Sequence, residues 1–170
     1  EFDAMIISRS LYETVLAIYF VLKPRFPVAV VPSPDHSGAT NYRAELVTSK
    51  NAKHKKNLTR EHRASLYAVN ISLEDERHAQ RLDTKGRKRT ARRIKKTIDT
   101  KVVADAKAFI GPEWTSILLR NPRSYSGLRV DQLAHALGSG LDGIHDVVYP
   151  VQCAYAHAAA ATQHLRFDET

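Results

Sequence analysis

Arg9 and Glu13 stand four residues apart in the most apolar stretch of the sequence, flanked by Met5, Leu16, Ala17 and Phe20. On a helix this spacing makes two side chains neighbours on one face, so the charges can pair. Far along the chain His145, Tyr149, Cys153 and His157 recur every four residues and form one polar-capable ridge. A histidine can carry a proton, and an arginine can hold the negative charge that develops on a reacting phosphate. If the two helices pack together, His157 or Tyr149 meets Arg9 or Glu13. Arg9, Glu13 and His157 are therefore the first candidates for catalysis. The same residues also read as structural, with an ion pair at the edge of a bundle and a hydrogen-bonded histidine inside it. Burying such charges alone is costly, so either reading requires a third partner.

Other chemistry has no sequence support. There is no His-Glu-x-x-His, no cysteine pair, no glycine-rich phosphate loop and no Gly-x-Ser-x-Gly elbow. No metal site and no cofactor are expected. Cys153 is the single cysteine, which excludes an intrachain disulfide and fits a reducing compartment, the cytoplasm. One turn of helix is a poor platform for thiol attack, so Cys153 reads as a small packing residue.

The charge is concentrated. The sequence has 26 Lys and Arg against 18 Asp and Glu, a net +8. Nine of the basic residues lie between Thr84 and Lys101 with one acid, Asp99, and the rest of the chain holds 17 of each sign. The excess is a local patch: Arg87, Lys88, Arg89, Arg92, Arg93, Lys95 and Lys96. Cations that neutralise phosphates release counterions, so this helix is the expected contact for RNA or DNA. Few aromatic residues interleave with the patch, which predicts sequence-independent contact. A solvated helix face accounts for the same run.

These residues need elements to hold them. Phe2 to Leu22 reads as a helix, with Ala4, Leu11, Val15, Ile18 and Leu22 at spacings of three and four. Met5, Tyr12, Tyr19 and Phe20 widen its apolar surface until other helices are expected all round it. Lys23-Pro24 ends it. Pro24 to Thr40, with four prolines, reads as a long loop containing an extended piece at Val28 to Val31. Helices follow at about Asn41 to Ala52, and from a cap at Thr59 to about Leu82, the latter with Leu66, Val69 and Leu73 buried and Tyr67 beside them. After Gly86 the basic helix is expected from Arg87 to Phe109, burying Ile94, Ile98, Val102, Ala106 and Phe109 and stopping at Gly111-Pro112. A turn carries Trp114, Ile117 and Leu118. Short and long helices at Leu128 to Leu137 and Leu141 to Leu165 complete the chain, the last with Ile144, Val148, Val151, Tyr155 and Ala158 as its stripe and a kink at Pro150.

No alternating pattern points to a sheet, and the expected fold is all-α. It is a single-domain bundle of five to six helices over residues 1–170, with a Pro-rich loop after the first helix. The first residue is not methionine, so an upstream element is allowed for. The apolar run ending at Leu22 is far short of the roughly 20 residues that span a bilayer, so no membrane partner is expected. Homo-oligomerisation stays open.

Ser8-Arg9-Ser10-Leu11-Tyr12-Glu13 and the apolar helix after it resemble the first helix of the bacterial domain of unknown function 5677 family. Tyr125-Ser126-Gly127-Leu128-Arg129-Val130-Asp131-Gln132-Leu133-Ala134 resembles that family's aromatic-Ser-Gly turn and short helix. Tyr149, Cys153 and His157 fall where its Tyr, small polar residue and His stand, with cysteine in place of the expected serine. The resemblance implies a helical bundle without an established activity. More loosely, the architecture resembles the HEPN (higher eukaryote and prokaryote nucleotide-binding) domains, many of them metal-independent ribonucleases, whose signature is an Arg followed four to six residues later by a His. Arg129 and His135 fit that spacing, with Val130 where a polar residue is usual, and His157 has no such arginine before it. Two functions follow as expectations: a binding or assembly module with a basic helix that contacts nucleic acid, and a metal-independent ribonuclease or nucleotide-processing domain of a toxin or phage-defence system.

Overall fold

The computed structural model describes the backbone of residues 2–34, 40–121, 124–138, 140–147, 149–151 and 154. Side chains are described for 10–33, 41–121, 124–138, 140–147, 149–151 and 154. The chain divides into two compact units, Phe20–Val130, and Glu1–Tyr19 with Asp131–Thr170. The fold is mostly helical and contains a small sheet, which corrects the all-α expectation. Among the described residues no helix is long and apolar enough to cross a membrane.

In the larger unit the stretch expected to be a Pro-rich loop is β1 (Phe26–Pro34). It is the centre of a three-stranded antiparallel sheet, between β2 (Thr40–Glu45) and β3 (Lys55–Leu58). β2 replaces the start of the helix expected at Asn41 to Ala52, and only Ala52–His54 makes a single 3-10 turn there. Val28, Ala29 and Val30 are buried in succession, as befits a strand covered on both faces. Three prolines in a central strand look forbidden, since each lacks an N–H. The register removes the conflict. β1 pairs β3 over Phe26–Ala29 and β2 over Ala29–Pro34, so both neighbours coincide only at Ala29. Successive N–H groups point to opposite edges. Pro27 can therefore direct its nitrogen to the edge that β2 leaves open, and Pro32 and Pro34 theirs to the edge that β3 leaves open.

Thr59 caps α2 (Arg60–Thr84), its hydroxyl accepting from His62 N at 3.2 Å. Leu66, Val69 and Leu73 are buried and Tyr67 is half-buried, as their spacing predicts. The single basic helix expected from Arg87 to Phe109 is instead two: α3 (Lys88–Thr97) and α4 (Thr100–Arg120). The break lies at Ile98–Asp99, because the Asp99 carboxylate accepts from Lys101 N and Val102 N and starts a new helix. α4 leaves helical geometry at Gly111 (φ 80°, ψ 173°) ahead of Pro112, then continues instead of forming the expected turn. Val102 and Phe109, expected in the core, are more than half exposed. Val103, Ile110, Trp114, Ile117 and Leu118 are buried in their place.

α2 and β2 both pack on α4, and α3 packs on α2. Phe20 meets Phe26 edge-on at 4.9 Å and Tyr125 at 5.5 Å, and Tyr125 meets Tyr67 at 5.3 Å. These rings and the aliphatic residues of α2 and α4 form the core of this unit.

The smaller unit holds most of α1 (Phe2–Leu22), most of α5 (Val130–Leu137) and the helical residues 141–147 and 149–151. Pro24 follows the end of α1, as expected. Against the expectation of cover nearly all round, α1 is covered on one face: Leu11, Val15, Ile18 and Leu22 are 37–60% exposed, whereas Tyr12, Leu16, Ala17 and Phe20 are buried. Ile144 and Val151 are likewise about half exposed, and among the described residues from 141 onward Leu141 is the buried one. The continuation to Leu165 lies outside the described residues.

Candidate nucleic-acid interface

Gly86 (φ 75°) turns the chain between α2 and α3. Its N–H donates to Asp83 O at 3.0 Å and that of Arg87 to Leu82 O at 2.8 Å, closing the end of α2. α3 then lies on α2 along one narrow line: Ala91 is buried and Ile94 is half-buried. Lys88, Arg89, Arg92, Arg93, Lys95 and Lys96 are all exposed, and so is Arg87 just before the helix. Among the described residues none of these cations is paired with a carboxylate. Asp99, the acid of the basic run, is engaged with the first turn of α4. Arg89, Arg92, Arg93 and Lys96 follow an i, i+3, i+4, i+7 pattern, so their head groups share one outward side. The arrangement is a cationic ridge free to neutralise a polyanion.

The candidate catalytic residues are only partly in view. Arg9 lies in α1, but its side chain falls outside the described residues, as do Cys153 and His157. Of the four pairings open if the two helices pack, one is seen among the described residues: Tyr149 donates to Glu13 at 3.0 Å. His145 stacks on Tyr149 with ring centres 4.7 Å apart, and its Nδ1 is buried without a partner among the described residues. Tyr12 lies within 6.2 Å of both rings and donates to Leu141 O at 2.9 Å. Burial, then Asp146 and Asp142, push the Tyr12 hydroxyl up to about 12, so it stays a protonated donor. Arg129 and His135 are both exposed, Arg129 before α5 and His135 in its last turn. Among the described residues no three His, Cys, Asp or Glu side chains gather to hold a metal ion.

The aromatic-Ser-Gly turn is architectural. Ser126 is buried and accepts from Leu128 N at 3.2 Å, while the Ser124 hydroxyl donates to Leu128 O. A cleft of about 700 Å³ along the end of α2 is lined by Glu74, Asp75, Arg77, His78 and Arg81 among others. Its mixed charges give it no preference for an anion.

No family model, characterised protein or solved structure matches this chain.

Two residues of α2 escaped the sequence reading. Arg63 is fully buried, and its guanidinium donates to the carbonyls of Leu58, Val21 and Lys23. It ties the end of α1 to the end of β3, where a cation complements the negative end of the helix. Its place three residues before Leu66 puts it on the buried side of α2, but an arginine gives no sign of burial by its type.

The other is His62, half-buried, with its ring 5.7 Å from Phe109 and 6.1 Å from Trp114. His62 Nε2 and Trp114 Nε1 are buried without partners among the described residues. Burial, and secondarily Lys56, lowers the pKa of His62 below its ordinary 6.5. Lys56 is itself paired with Glu113. The folded chain therefore resists a proton that the unfolded chain accepts. This contribution to stability is present above pH 6.5 and is lost as the pH falls below it toward the folded value. Urea midpoints measured between neutral and mildly acidic pH should fall for the native sequence and fall less for His62→Phe. Equal slopes for the two proteins would show that His62 is not the titrating group.

Proposed function

We propose that this chain is a sequence-independent nucleic-acid-binding module whose working surface is α3. The observation that carries this reading is the row of six exposed Lys and Arg on a ten-residue helix, none paired with a carboxylate among the described residues. Cations without carboxylate partners keep their charge available for phosphates, and phosphate contacts carry no sequence information. The single cysteine supports a cytoplasmic setting, and the motif resemblance to the domain of unknown function 5677 family belongs to the same proposal. Replacing Arg89, Arg92, Arg93 and Lys96 with glutamine preserves helix propensity and removes four charges. Binding to a labelled oligonucleotide at low salt is expected to weaken by on the order of 100-fold. Unchanged affinity would remove α3 from the account.

A second reading is favoured by the Tyr149–Glu13 hydrogen bond and the His145 ring stacked beside it. It makes the chain a metal-independent, HEPN-like ribonuclease using Arg9, Glu13 and His157, with Arg129 and His135 as the alternative pair. Cleavage of mixed RNAs in a chelator by the native protein, lost in His157→Ala, would favour it. Intact RNA leaves the binding module standing.

A further inference from the structure

We infer that the partner of α3 is B-form duplex DNA, in preference to RNA or to single strands. This rests on the nucleic-acid reading above and goes on to the shape of the polyanion.

At about 100° per residue, the cations of α3 can be placed around its axis relative to the buried Ala91. Lys95 and Lys88 lie about 40° and 60° away, Arg92 and Lys96 about 100° and 140°, and Arg89 and Arg93 about 160° and 200°. The fan therefore covers roughly 160° of the helix surface. Its centre points away from the line by which α3 packs on α2. Thr90 and Thr97 fall outside it, at about 260° and 240°. An outward helix face charged from flank to flank suits a site with phosphates on both sides, more than a single backbone lying along one ridge.

The dimensions choose among duplexes. A helix with its side chains is about 10–12 Å across, and the major groove of B-DNA is about 12 Å wide and 8.5 Å deep. A helix about 15 Å long can enter that groove with the flanks of the fan against the two bordering strands. In A-form RNA the major groove is deep and too narrow to be entered, and the accessible minor groove is shallow and carries 2′-hydroxyls. Lys and Arg only donate, so the fan can take no hydrogen bond from a 2′-hydroxyl and holds no group suited to that surface in particular.

Single strands are disfavoured for a different reason. They are held by aromatic platforms on which bases stack, and α3 carries no aromatic residue. Phe109, the exposed ring of α4, already lies against His62. The acids of the neighbouring helix, Glu74, Asp75, Glu76 and Asp83, belong to α2, on which α3 packs. Arg77 and Arg81 stand among them, so that side offers a duplex mixed charge, and the unmixed outward face of α3 is the side of approach.

The test compares four labelled probes of one sequence and length with the full chain at a single low salt concentration: duplex DNA, duplex RNA, single-stranded DNA and single-stranded RNA. Duplex DNA is expected to bind about 10-fold or more tightly than each of the others. The glutamine variant at Arg89, Arg92, Arg93 and Lys96 should lose that advantage. A variant with lysine at the three arginines should keep it, because a point charge serves a phosphate. Circular dichroism of both variants verifies that the helices are intact. Duplex RNA or a single strand bound as tightly as duplex DNA would overturn the inference and leave the nucleic-acid reading intact. No binding to any probe would overturn both.

Discussion

Alanine in place of Arg63 is expected to lower the stability of the fold by about 3–5 kcal/mol. The guanidinium is fully buried and donates to three backbone carbonyls, those of Val21 in the last turn of α1, Lys23 just after it and Leu58 at the end of β3. Hydrogen bonds from a charged donor contribute about 1.5–3 kcal/mol each, and a carbonyl stranded in the core adds its own desolvation cost. The terms are not additive, which keeps the estimate below their sum. Against a total stability of about 5–15 kcal/mol the loss is large. A lowered denaturation midpoint with an unchanged slope would record it as a loss of native stability. Arg63→Lys should fall between the two, since one ammonium cannot span three separated acceptors. A change under about 1 kcal/mol for alanine would mean that the tether carries no energy.

Gly127→Ala should cost about 2–4 kcal/mol, from two sources that a control can separate. Gly127 has φ 71°, where a Cβ crowds the following carbonyl. A Cβ there would also stand 2.7 Å from Ile117 Cγ2 and 2.8 Å from the Ala44 Cβ. Both neighbours are buried, so relief requires moving α4 or β2. Gly86 has a similar φ of 75°, with nothing within 4 Å of the position a Cβ would take. Gly86→Ala should therefore pay the conformational part alone, about 1 kcal/mol. Equal losses at the two glycines would show that the close approach at Gly127 is relaxed without cost.

The contrast between these two glycines shows what the sequence could convey. Gly86 reads as the break before the basic helix and Gly127 as part of an aromatic-Ser-Gly turn, and both have positive φ. Only long-range packing distinguishes them, because Ala44 and Ile117 are far from residue 127 along the chain. α2 was legible for the opposite reason: a threonine cap and a stripe at Leu66, Val69 and Leu73 are local signals. In α1 the extent was legible from Pro24, but the buried face was not. Two apolar stripes run along it, and periodicity cannot say that Tyr12, Leu16 and Phe20 face inward while Leu11, Val15 and Ile18 face water. Of the sheet, only the extended piece at Val28 to Val31, inside β1, was legible, since β2 and β3 are short and polar and derive their pairing from β1. Asp99 was counted as a lone acid in a basic run, yet it is the cap that divides that run into α3 and α4.

The same division bears on function. A helix continuous to Phe109 would have tied its cations to a core-facing stripe over its whole length. The break frees α3 as a separate ten-residue element with one buried side chain, and its charge was the most legible feature of the chain. On the candidate catalytic side, the four-residue recurrence from His145 marked a polar ridge without fixing its partner, and within it Tyr149 donates to Glu13. The remaining members, Arg9, Cys153 and His157, have side chains outside the described residues.

Salt dependence tests the central claim most directly, because counterion release counts the phosphates that a surface neutralises. Binding of duplex DNA by the native chain should fall linearly on a plot of log affinity against log salt, with a slope of about −5 for the six cations of α3. Replacing Arg89, Arg92, Arg93 and Lys96 with glutamine should reduce the slope to about −2. A slope that the four substitutions leave unchanged would contradict the assignment of α3 as the nucleic-acid surface.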